Sequence, residues 1–328
     1  MKKSQLVKAL NLCFPGINES GIEEGEDCFD FSPDYISAGT LEFRLHAPLE
    51  TEIQGQVKAK EFFQVINKME NDIVLKQKGD ELQVKDRKTT LTLPIFSEQN
   101  GFDLDAEKDW EELPANFLEG LVLGMYTASK DSLYAQLNTI VVNGTQIIAT
   151  DNHKALNFQL EEDMGQWAIA SEIVRKLVKV NISHYILEEK ELHLKNEEGA
   201  IISVQLLEDE PFDSEKVLNL FQEGEAEYQF PTNTVNALDL ADILSYEGDD
   251  GDFVKIKRKG DYLIFEGERE TGKVRTKVKI NTNFPDEFSI QIASPFLRGS
   301  LKHTTDFWLK DSFLFFQSDN FDLIVSTI

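Results

Sequence analysis

The amino-acid sequence predicts an α+β fold in which one domain is repeated three times, each copy having two helices packed on an antiparallel sheet. Three segments align with one another, and the hydrophobic pattern of each gives a strand, a helix and three further strands. These segments are Gly55–Ile95, Gly165–Leu207 and Phe288–Ile328. Another helix-type run, followed by alternating strands, precedes each segment. The repeats predict domains at residues 1–108, 109–222 and 223–328.

The helix inside each aligned segment is expected to open at an alanine. The three alanines are Ala59, Ala170 and Ala293. They are a whole domain apart, well beyond the ~20–50 residues of a solenoid repeat. The third and fourth residues after each alanine are apolar in every copy, so they predict the helical face that packs on the sheet. These residues are Phe62 and Phe63, Ile173 and Val174, and Phe296 and Leu297.

The earlier run in each copy predicts a second helix and a set of hairpins. The helix-type runs occupy residues 6–14, 115–129 and 232–244, and Pro114 and Pro231 mark the start of the last two. Between strand-type runs stand the turn pairs Lys78-Gly79, Asn143-Gly144 and Lys259-Gly260. Because glycine adopts positive φ without strain, such pairs predict β-hairpins.

The charge of the chain limits the classes of function. Among 328 residues, 59 are acidic and 33 are basic, which gives a net charge of −26. This balance argues against a protein that coats nucleic acid over its whole surface. Cys13 and Cys28 are too few and too far apart for a disulfide framework or a zinc site, so we expect a reducing, cytoplasmic setting. No apolar run approaches the ~18 residues of a membrane span, so no membrane partner is expected.

The repeated helix carries basic residues on the side away from its apolar face. The ninth residue after the alanine is lysine in all three copies, and the fifth is arginine in two of them. At about 100° per residue these two positions share one helical face. Each of the three helices has a net charge of +2, although the chain is strongly acidic. The basic residues on and beside these helices are Lys58, Lys60, Lys68, Arg175, Lys176, Lys179, Arg298 and Lys302.

Three explanations of these charges remain open. Basic residues near a helix C-terminus complement the helix dipole, and duplication preserves residues without any use. The lysine occupies the same position in all three copies, which favours a shared partner. Interaction with a helix dipole would not require the same position in each copy. A basic lining in an acidic chain suits double-stranded DNA passing through it, contacted at its phosphates without base readout. The remaining acid is then expected to form an outer surface that repels DNA.

The most specific motif lies in the second copy. Leu137-Asn138 is followed by the run I-A-T-D-N-H-K-A at Ile148–Ala155. This arrangement resembles the second-domain signature of the bacterial DNA polymerase III β subunit, the sliding clamp, in which Leu-Asn precedes A-T-D-G-H-R. Asn152 and Lys154 replace the glycine and the arginine, but asparagine tolerates a left-handed turn and lysine keeps the cation. The resemblance covers nearly the whole chain, although the acidic Glu19–Asp27 stands where the family has a proline-rich segment.

The resemblance implies a ring formed by a head-to-tail homodimer of three clamp domains per chain. Helices would line the hole and one continuous sheet would face outward, which removes exposed sheet edges. The implied function is that of a processivity factor, not an enzyme, which encircles duplex DNA and tethers a replicative polymerase. A DNA polymerase and a clamp loader would bind through short linear motifs with Gln and Leu/Phe anchors. Neither a cofactor nor a metal is implied.

The resemblance also implies an apolar pocket for these motifs between the second and third domains. Matched residue by residue, the pocket consists of Leu137, Thr150, Asn152, His153, Lys154, Ala155, Lys216, Val217, Leu323, Ile324, Val325, Ser326, Thr327 and Ile328. A final strand that completes the third copy is the other interpretation of the last six residues. The two interpretations are compatible, because a terminal strand can pair and still offer side chains to a groove.

Motifs for catalysis are missing from the sequence. The five histidines lack metal-binding spacing, and neither a phosphate-binding loop nor a nucleophile elbow occurs. The alternative function is an acidic, β-rich hydrolase that uses an Asp/Glu pair. The recurrence of Lys68, Lys179 and Lys302 favours the clamp, because a catalytic site is usually unique in a chain. The sequence leaves open whether the clamp is a host replicative protein or encoded by a phage.

Overall fold

The computed structural model describes residues 2–18, 25–70, 73–96, 109–129, 136–208, 211–221, 224–247 and 252–327. Short helices are combined with antiparallel sheets, which confirms the predicted α+β class. None of the helices in these ranges is both long enough and apolar enough to cross a membrane.

The first copy of the repeat contains two helices and seven strands. The helices are α1 (Lys3–Cys13) and α2 (Ala59–Lys68). The strands are β1 (Cys28–Phe31), β2 (Tyr35–Gly39), β3 (Phe43–Pro48), β4 (Gly55–Lys58), β5 (Val74–Lys78), β6 (Glu81–Lys85) and β7 (Thr90–Pro94). The order is helix and three strands, then strand, helix and three strands, as the hydrophobic pattern predicts.

The second copy has the same order behind one additional short strand. That strand is β8 (Glu111–Glu112), and the helices are α3 (Phe117–Thr127) and α4 (Ser171–Leu177). The other strands are β9 (Thr139–Asn143), β10 (Gln146–Thr150), β11 (Lys154–Gln159), β12 (Gln166–Ala170), β13 (Ile182–Leu187), β14 (Glu191–Asn196) and β15 (Ile201–Gln205). A short helix, α5 (Ser214–Leu218), follows in the connecting segment.

The third copy repeats the arrangement to the end of the described chain. It begins with β16 (Tyr228–Gln229), and its helices are α6 (Thr234–Asp242) and α7 (Ser294–Leu301). The other strands are β17 (Val254–Lys259), β18 (Tyr262–Arg269), β19 (Gly272–Lys279), β20 (Ser289–Ile292), β21 (Asp306–Lys310), β22 (Phe313–Gln317) and β23 (Phe321–Ser326).

The helix starts and hairpin turns predicted from the sequence are confirmed. Ala59 is the first residue of α2, while Ala170 directly precedes α4 and Ala293 is the N-cap of α7. The hairpin glycines Gly79, Gly144 and Gly260 have φ of 59°, 63° and 59°. These positive angles are the ones for which a turn requires glycine.

Each large sheet combines strands of two successive copies. The first has the order β4-β1-β2-β3-β15-β14-β13-β8, and the second has the order β12-β9-β10-β11-β23-β22-β21-β16. In both, four strands of one copy join the last three strands of the next through the antiparallel pairs β3–β15 and β11–β23, and the short β8 or β16 completes the far edge. Registers such as Val204 opposite Phe43 and Leu323 opposite Leu156 place apolar side chains next to each other across these junctions.

Two smaller sheets contain the remaining parts of the repeat. Their orders are β19-β18-β17-β20 and β5-β6-β7. By repeat position, β19 is equivalent to β3 and β11, and β7 is equivalent to β15 and β23. Within the part of the chain that the structure describes, β19 and β7 each pair with a single neighbouring strand.

The chain divides into two compact units. One unit combines Met1–Ala115 with Glu172–Glu208, and the other combines Asn116–Ser171 with Asp209–Ile328. Each unit contains one of the eight-stranded sheets, which is why its boundaries run through the second copy. The three-domain division at residues 108 and 222 remains a prediction, and both boundaries lie at residues outside the described ranges.

Aromatic side chains fill the interior of each unit. In the first, the buried Phe31 and Phe62 rings meet edge to face, with their centroids 5.6 Å apart. In the second, Phe230 stacks on Phe307 at 4.3 Å, and both are fully buried. Burial of one such side chain contributes about 1.5–3 kcal/mol; the first pair fixes α2 onto β1, and the second packs the segment before α6 against β21.

Candidate nucleic-acid and peptide sites

The three lysines that recur in the repeat lie at the ends of their helices. Lys68 is the last residue of α2, whereas Lys179 and Lys302 lie in the turns that follow α4 and α7. In those turns the N–H of Lys179 donates to Lys176 O at 3.3 Å, and the N–H of Lys302 donates to Gly299 O at 3.4 Å. Bonds between residues three apart tighten the last turn. The expectation that all three lysines lie within a regular helix is therefore wrong for two of them.

The first two copies carry the more available cations. Lys60, Lys68, Arg175 and Lys179 are exposed. No carboxylate among the described residues forms an ion pair with Lys68, Arg175 or Lys179. Lys176 is partly buried, and its Nζ lies 4.9 Å from the centre of the Phe43 ring. Exposed cations without a local carboxylate are the groups that can neutralise phosphates.

Lys58 already has an anionic partner. Its Nζ donates to both carboxylate oxygens of Asp27, at 2.7 and 2.6 Å. This hydrogen bond raises the pKa of Lys58. The pair lies where β4 meets the start of α2, so Lys58 contributes less positive charge to the helix surface than its sequence position indicates.

The helix pair of the third copy has balanced charge. Arg298 of α7 forms ion pairs with Asp239 and Asp242 of α6, at 2.7 and 3.1 Å. Lys302 Nζ lies 5.9 Å from the centre of the Tyr126 ring. Because two carboxylates of α6 oppose Arg298 and Lys302, the expected net positive charge does not extend to this pair of helices. The net charge read from the sequence included only the residues of α7, and it left out the two aspartates of α6 that pack beside it.

A cavity of about 480 Å³ lies within the second unit, between α3, α7 and the turn that joins β10 to β11. Three of the residues predicted for the partner pocket line it: His153, Lys154 and Leu323. The other lining residues are Leu123, Tyr126, Thr127, Ala128, Ser129, Asp151, Pro295, Phe296, Gly299, Ser300 and His303. This mixture of aromatic rings and a few polar groups is typical of a ligand-binding cleft.

Lys154 connects the walls of this cavity. Its Nζ donates to Tyr126 O at 2.6 Å, lies 3.2 Å from an Asp151 carboxylate oxygen and lies 4.6 Å from the centre of the Phe296 ring. Only 10% of its side chain is exposed. The His153 ring stacks on Phe296 with the centroids 6.2 Å apart. The lysine is thus a structural cation that holds α3, α7 and the turn in place.

The signature motif forms the turn itself. Asp151 Oδ1 accepts the N–H groups of His153 and Lys154, at 2.9 and 2.7 Å, and Thr150 Oγ1 donates to Lys154 O at 2.7 Å. Asn152 has a φ of 73°, which confirms the predicted left-handed residue. These bonds explain why the motif needs these side chains at this spacing.

The remaining predicted pocket residues do not all lie on this side of the sheet. Side chains alternate along β11 and β23, so Ala155 and Ile324 point away from the cavity. There they pack with Val217 of α5 and with Phe315. Thr150, which is opposite Ala155 in the register, shares that face. The predicted set is therefore divided between the two faces of the β11–β23 pair.

The face that carries α5 has a recess of its own, lined by both apolar and polar residues. Phe212, Leu218, Phe221 and Trp308 pack against the cluster around Val217. A second cavity of about 640 Å³ is lined in part by Phe221, Trp308 and Phe315. The strand pair thus borders two recesses, and Leu323 of β23 contributes to the lining of both.

The other residues of the predicted set have structural contacts. Leu137 is buried and its carbonyl accepts the N–H of Ser129 at 2.9 Å, whereas Val325 is fully buried in β23. Lys216 is exposed and forms an ion pair with Asp213 at 2.7 Å. Backbone bonds hold the end of the chain, with Ser326 N donating to His153 O and Thr327 N donating to Ser312 O, both at 2.8 Å. Ile328 lies outside the described residues.

Sequence reasoning missed the aromatic walls of the cavity. Tyr126 is 50% exposed at the end of α3. Phe296 was assigned to the core face with Leu297, but only Leu297 is fully buried. Partial burial lowers the pKa of His303, and Lys302 lowers it further against the opposite effect of Glu119. The linear sequence carries no signal that α3 and α7 meet, because about 170 residues separate them.

The hydrolase alternative requires two carboxylates that face each other across a cleft. Among the described residues, one group of potential metal ligands occurs, formed by Glu188, Glu191 and His193. Both carboxylates lie 3.6 Å from His193 Nε2, and Ser203 Oγ lies 2.8 Å from its Nδ1. These carboxylates converge on an imidazole that is buried in the sheet, so they do not support a hydrolytic pair.

Comparison with known proteins identifies the fold. Neither a protein-family model nor a curated protein sequence matches the chain. Among solved structures, the DNA polymerase sliding clamp from Bacillus subtilis matches with a TM-score of 0.82 at 13% identity. The DNA polymerase III subunit β from Pseudomonas aeruginosa matches with a TM-score of 0.81 at 15% identity. Both alignments cover 100% of this chain and 98% of the other. The chain has the sliding-clamp fold.

A third match has the sliding-clamp fold with a peptide bound. The Helicobacter pylori β clamp, solved with a DNA ligase peptide, aligns with a TM-score of 0.79 and 15% identity, again over 100% of this chain and 98% of that one. The resemblance inferred from the sequence motif is therefore confirmed at the level of the fold. The same full-length alignment includes all three copies of the repeat.

Proposed function

We propose that the chain is a DNA sliding clamp that forms a head-to-tail homodimer around duplex DNA and tethers a replicative polymerase. The observation that supports this proposal most directly is the order of strands in the sheets. Two junctions, each between four strands of one copy and the last three strands of the next, are formed within the chain, at β3–β15 and β11–β23. The two halves of a third junction are present as β19 and β7. A second copy of the chain supplies the missing half at each, and two chains then close a ring of six domains.

The backbone of β19 is suited to such pairing. Ile280 N donates to Asp261 O at 2.8 Å, which fixes the alternation of bonds between β19 and β18. The N–H groups of Lys273, Arg275 and Lys277 therefore point to the open edge. An edge with a row of unpaired donors and acceptors is a template for another strand.

The outer edge of β7 also has backbone N–H groups that are not bonded to β6. Ile95 N donates to Asp80 O at 2.8 Å, so the N–H groups of Thr90 and Thr92 point away from β6. Pro94 lies at the same side, where its missing N–H takes no bond from β6. We infer that this edge pairs with β19 of the second copy.

Duplex DNA is the proposed occupant of the ring. The helix ends around Lys68 and Lys179, together with Arg175, provide exposed cations in an acidic chain. Such cations bind phosphates without reading sequence. The third copy contributes mainly through Lys302, because Arg298 is held by two carboxylates.

Partner proteins are proposed to bind at the cavity around His153 and Phe296. The Helicobacter pylori clamp bound to a DNA ligase peptide supports a peptide site in this fold. The aromatic walls suit Leu/Phe anchors of a short linear motif from the polymerase or the clamp loader. No cofactor, no membrane contact and a cytoplasmic location belong to this proposal.

The test of encirclement uses linear duplex DNA whose two ends can be blocked. The clamp is allowed to thread onto the DNA, both ends are then closed with streptavidin, and free protein is washed away. We expect retention that is lost when a restriction enzyme cuts the DNA between the blocks. Retention that does not depend on the ends would contradict a closed ring.

The peptide site is tested by Phe296→Ala. Because the ring contacts both His153 and Lys154, its removal is expected to weaken binding of a Gln- and Leu/Phe-containing peptide about 10-fold or more. Leu240→Ala, at an exposed apolar residue of α6, is the matched control. Fluorescence anisotropy with a labelled peptide measures both. Unchanged affinity of the Phe296 variant would remove this cavity as the site.

Deletion of Asp322–Ile328 is a poorer test of the same site. This segment contains most of β23, which pairs with β11 on one side and with β22 on the other. Its loss removes an inner strand of an eight-stranded sheet, so peptide binding and folding would be lost together.

A further inference from the structure

The four-stranded sheet of the third copy has two very different faces. Its apolar residues point towards α6, among them Ile256, Leu263 and Phe265, which are fully buried. Gly267 lies on the same face, where an added Cβ would lie 2.3 Å from Ala241 O in α6. Because side chains alternate along each strand, the residues between these positions point to the opposite side.

That opposite side is strongly basic. Two strands, β17 and β19, contribute seven cations, which we call the basic face: Lys255, Lys257, Lys259, Lys273, Arg275, Lys277 and Lys279. Among the residues of these paired strands, two carboxylates, Glu266 and Glu268, share it. The sheet face thus carries a surplus of positive charge in a chain whose net charge is −26.

The two carboxylates balance fewer than half of these cations. Glu266 lies 2.6 Å from Lys257 and 3.3 Å from Arg275, and Glu268 lies 2.8 Å from Lys273. The hydrogen bond from Lys257 lowers the pKa of Glu266, so that carboxylate is charged. The remaining four lysines form no ion pair with a carboxylate of any residue that the structure describes. These lysines are Lys255, Lys259, Lys277 and Lys279.

Protection of a sheet edge does not explain this charge. Lysines on an edge strand discourage unwanted pairing, which accounts for β19. Three of the seven cations lie on β17, however, which is an inner strand between β18 and β20. Pairing of β19 with a second copy does not neutralise them either, because Thr90–Pro94 contains no acidic residue. An external polyanion is the ligand that this surplus fits.

Aromatic rings accompany the cations. Tyr262 is 36% exposed on the basic face, and Lys277 Nζ lies 4.8 Å from its ring centre. Lys255 Nζ lies 4.2 Å from the ring of Tyr246. Cations two residues apart on one strand are separated by about 6.8 Å, which gives a regular row on a flat surface. Regular cations beside an exposed aromatic ring are characteristic of surfaces that bind single-stranded nucleic acid.

We propose that the basic face binds single-stranded DNA, with its lysines on the phosphates and Tyr262 as a platform for base stacking. The site lies on the side of the sheet away from α6, and it needs no closed ring. A free-ended oligonucleotide therefore tests it separately from encirclement of duplex DNA.

The experiment measures binding of fluorescent oligothymidylate to the full chain by anisotropy, over a series of salt concentrations. The variant with Lys259→Glu, Lys277→Glu and Lys279→Glu is expected to bind at least 10-fold more weakly. The slope of log affinity against log salt should fall by about 2, since each lost phosphate contact removes about 0.7. A matched control with Lys78→Glu, Lys190→Glu and Lys310→Glu, all exposed elsewhere, has the same net charge and should bind like the original chain.

A second substitution separates stacking from charge. Tyr262→Ala is expected to weaken binding several-fold without changing the salt slope, and Tyr262→Phe is expected to restore it. Circular dichroism checks that every variant is folded. Equal binding by the two triple variants would overturn the proposal. So would binding of polyglutamate or of phosphatidylserine vesicles to the basic face in the absence of oligonucleotide binding.

Discussion

Replacement of Lys277 by proline is expected to convert a dimer of about 75 kDa into a monomer of 37.3 kDa. The N–H of Lys277 points to the open edge of β19, so proline there removes a donor from the proposed junction. The bonds between β19 and β18 are made by the neighbouring residues and stay intact. The fold of the chain should therefore survive while the ring opens.

The controls for this prediction use the same strand. Lys277→Ala keeps the backbone N–H and should remain dimeric. Thr276→Pro removes a bond to β18 instead, so it should lower the stability of the third-copy sheet itself. Light scattering coupled to size-exclusion chromatography gives the masses, and thermal unfolding gives the stability. A dimeric Lys277→Pro variant would rule out β19 as the junction strand.

Charge reversal at the three recurrent lysines is expected to abolish retention on end-blocked duplex DNA. The variant combines Lys68→Glu, Lys179→Glu and Lys302→Glu. Three lost phosphate contacts reduce the salt slope by about 3, and the added carboxylates repel the duplex, so affinity should fall about 100-fold or more. The fold should persist, because all three side chains are exposed.

Two comparisons make this result specific. The control at Lys78, Lys190 and Lys310 carries the same charge change and should remain bound to duplex DNA. The variant at Lys259, Lys277 and Lys279 should also stay on end-blocked duplex, although it loses single-stranded DNA. Full retention of the Lys68, Lys179 and Lys302 variant at moderate salt would show that these helix ends do not contact the duplex.

The repeat, the hairpins and the left-handed Asn152 could be predicted because each is a local pattern. A helix that opens at Ala59, or a turn at Asn143-Gly144, depends on residues that are close in the sequence. The exact helix ends could not be predicted in the same way. The tightened turns that place Lys179 and Lys302 beyond their helices depend on where the following strand begins.

The candidate sites were less accessible to sequence reasoning because they depend on contacts between distant segments. Neutralisation of Arg298 needs Asp239 and Asp242, which come from another helix. The cavity walls Tyr126 and Phe296 meet only in the folded unit. The basic face, by contrast, is visible in the alternating lysines of β17 and β19, but averaging the charge over the acidic remainder concealed it.

The sharing of strands between copies has a consequence for synthesis on the ribosome. The outer edge of β3 has no pairing strand until β15 is synthesised, and β15 is complete only at Gln205. At about 5–20 residues per second, roughly ten to thirty seconds pass between their emergence. The edge of β11 stays unpaired until β23 is synthesised, and β23 is complete only at Ser326. A nascent chain of this design exposes pairing-competent strands for long periods, so its yield should depend on the chaperones that meet it during translation.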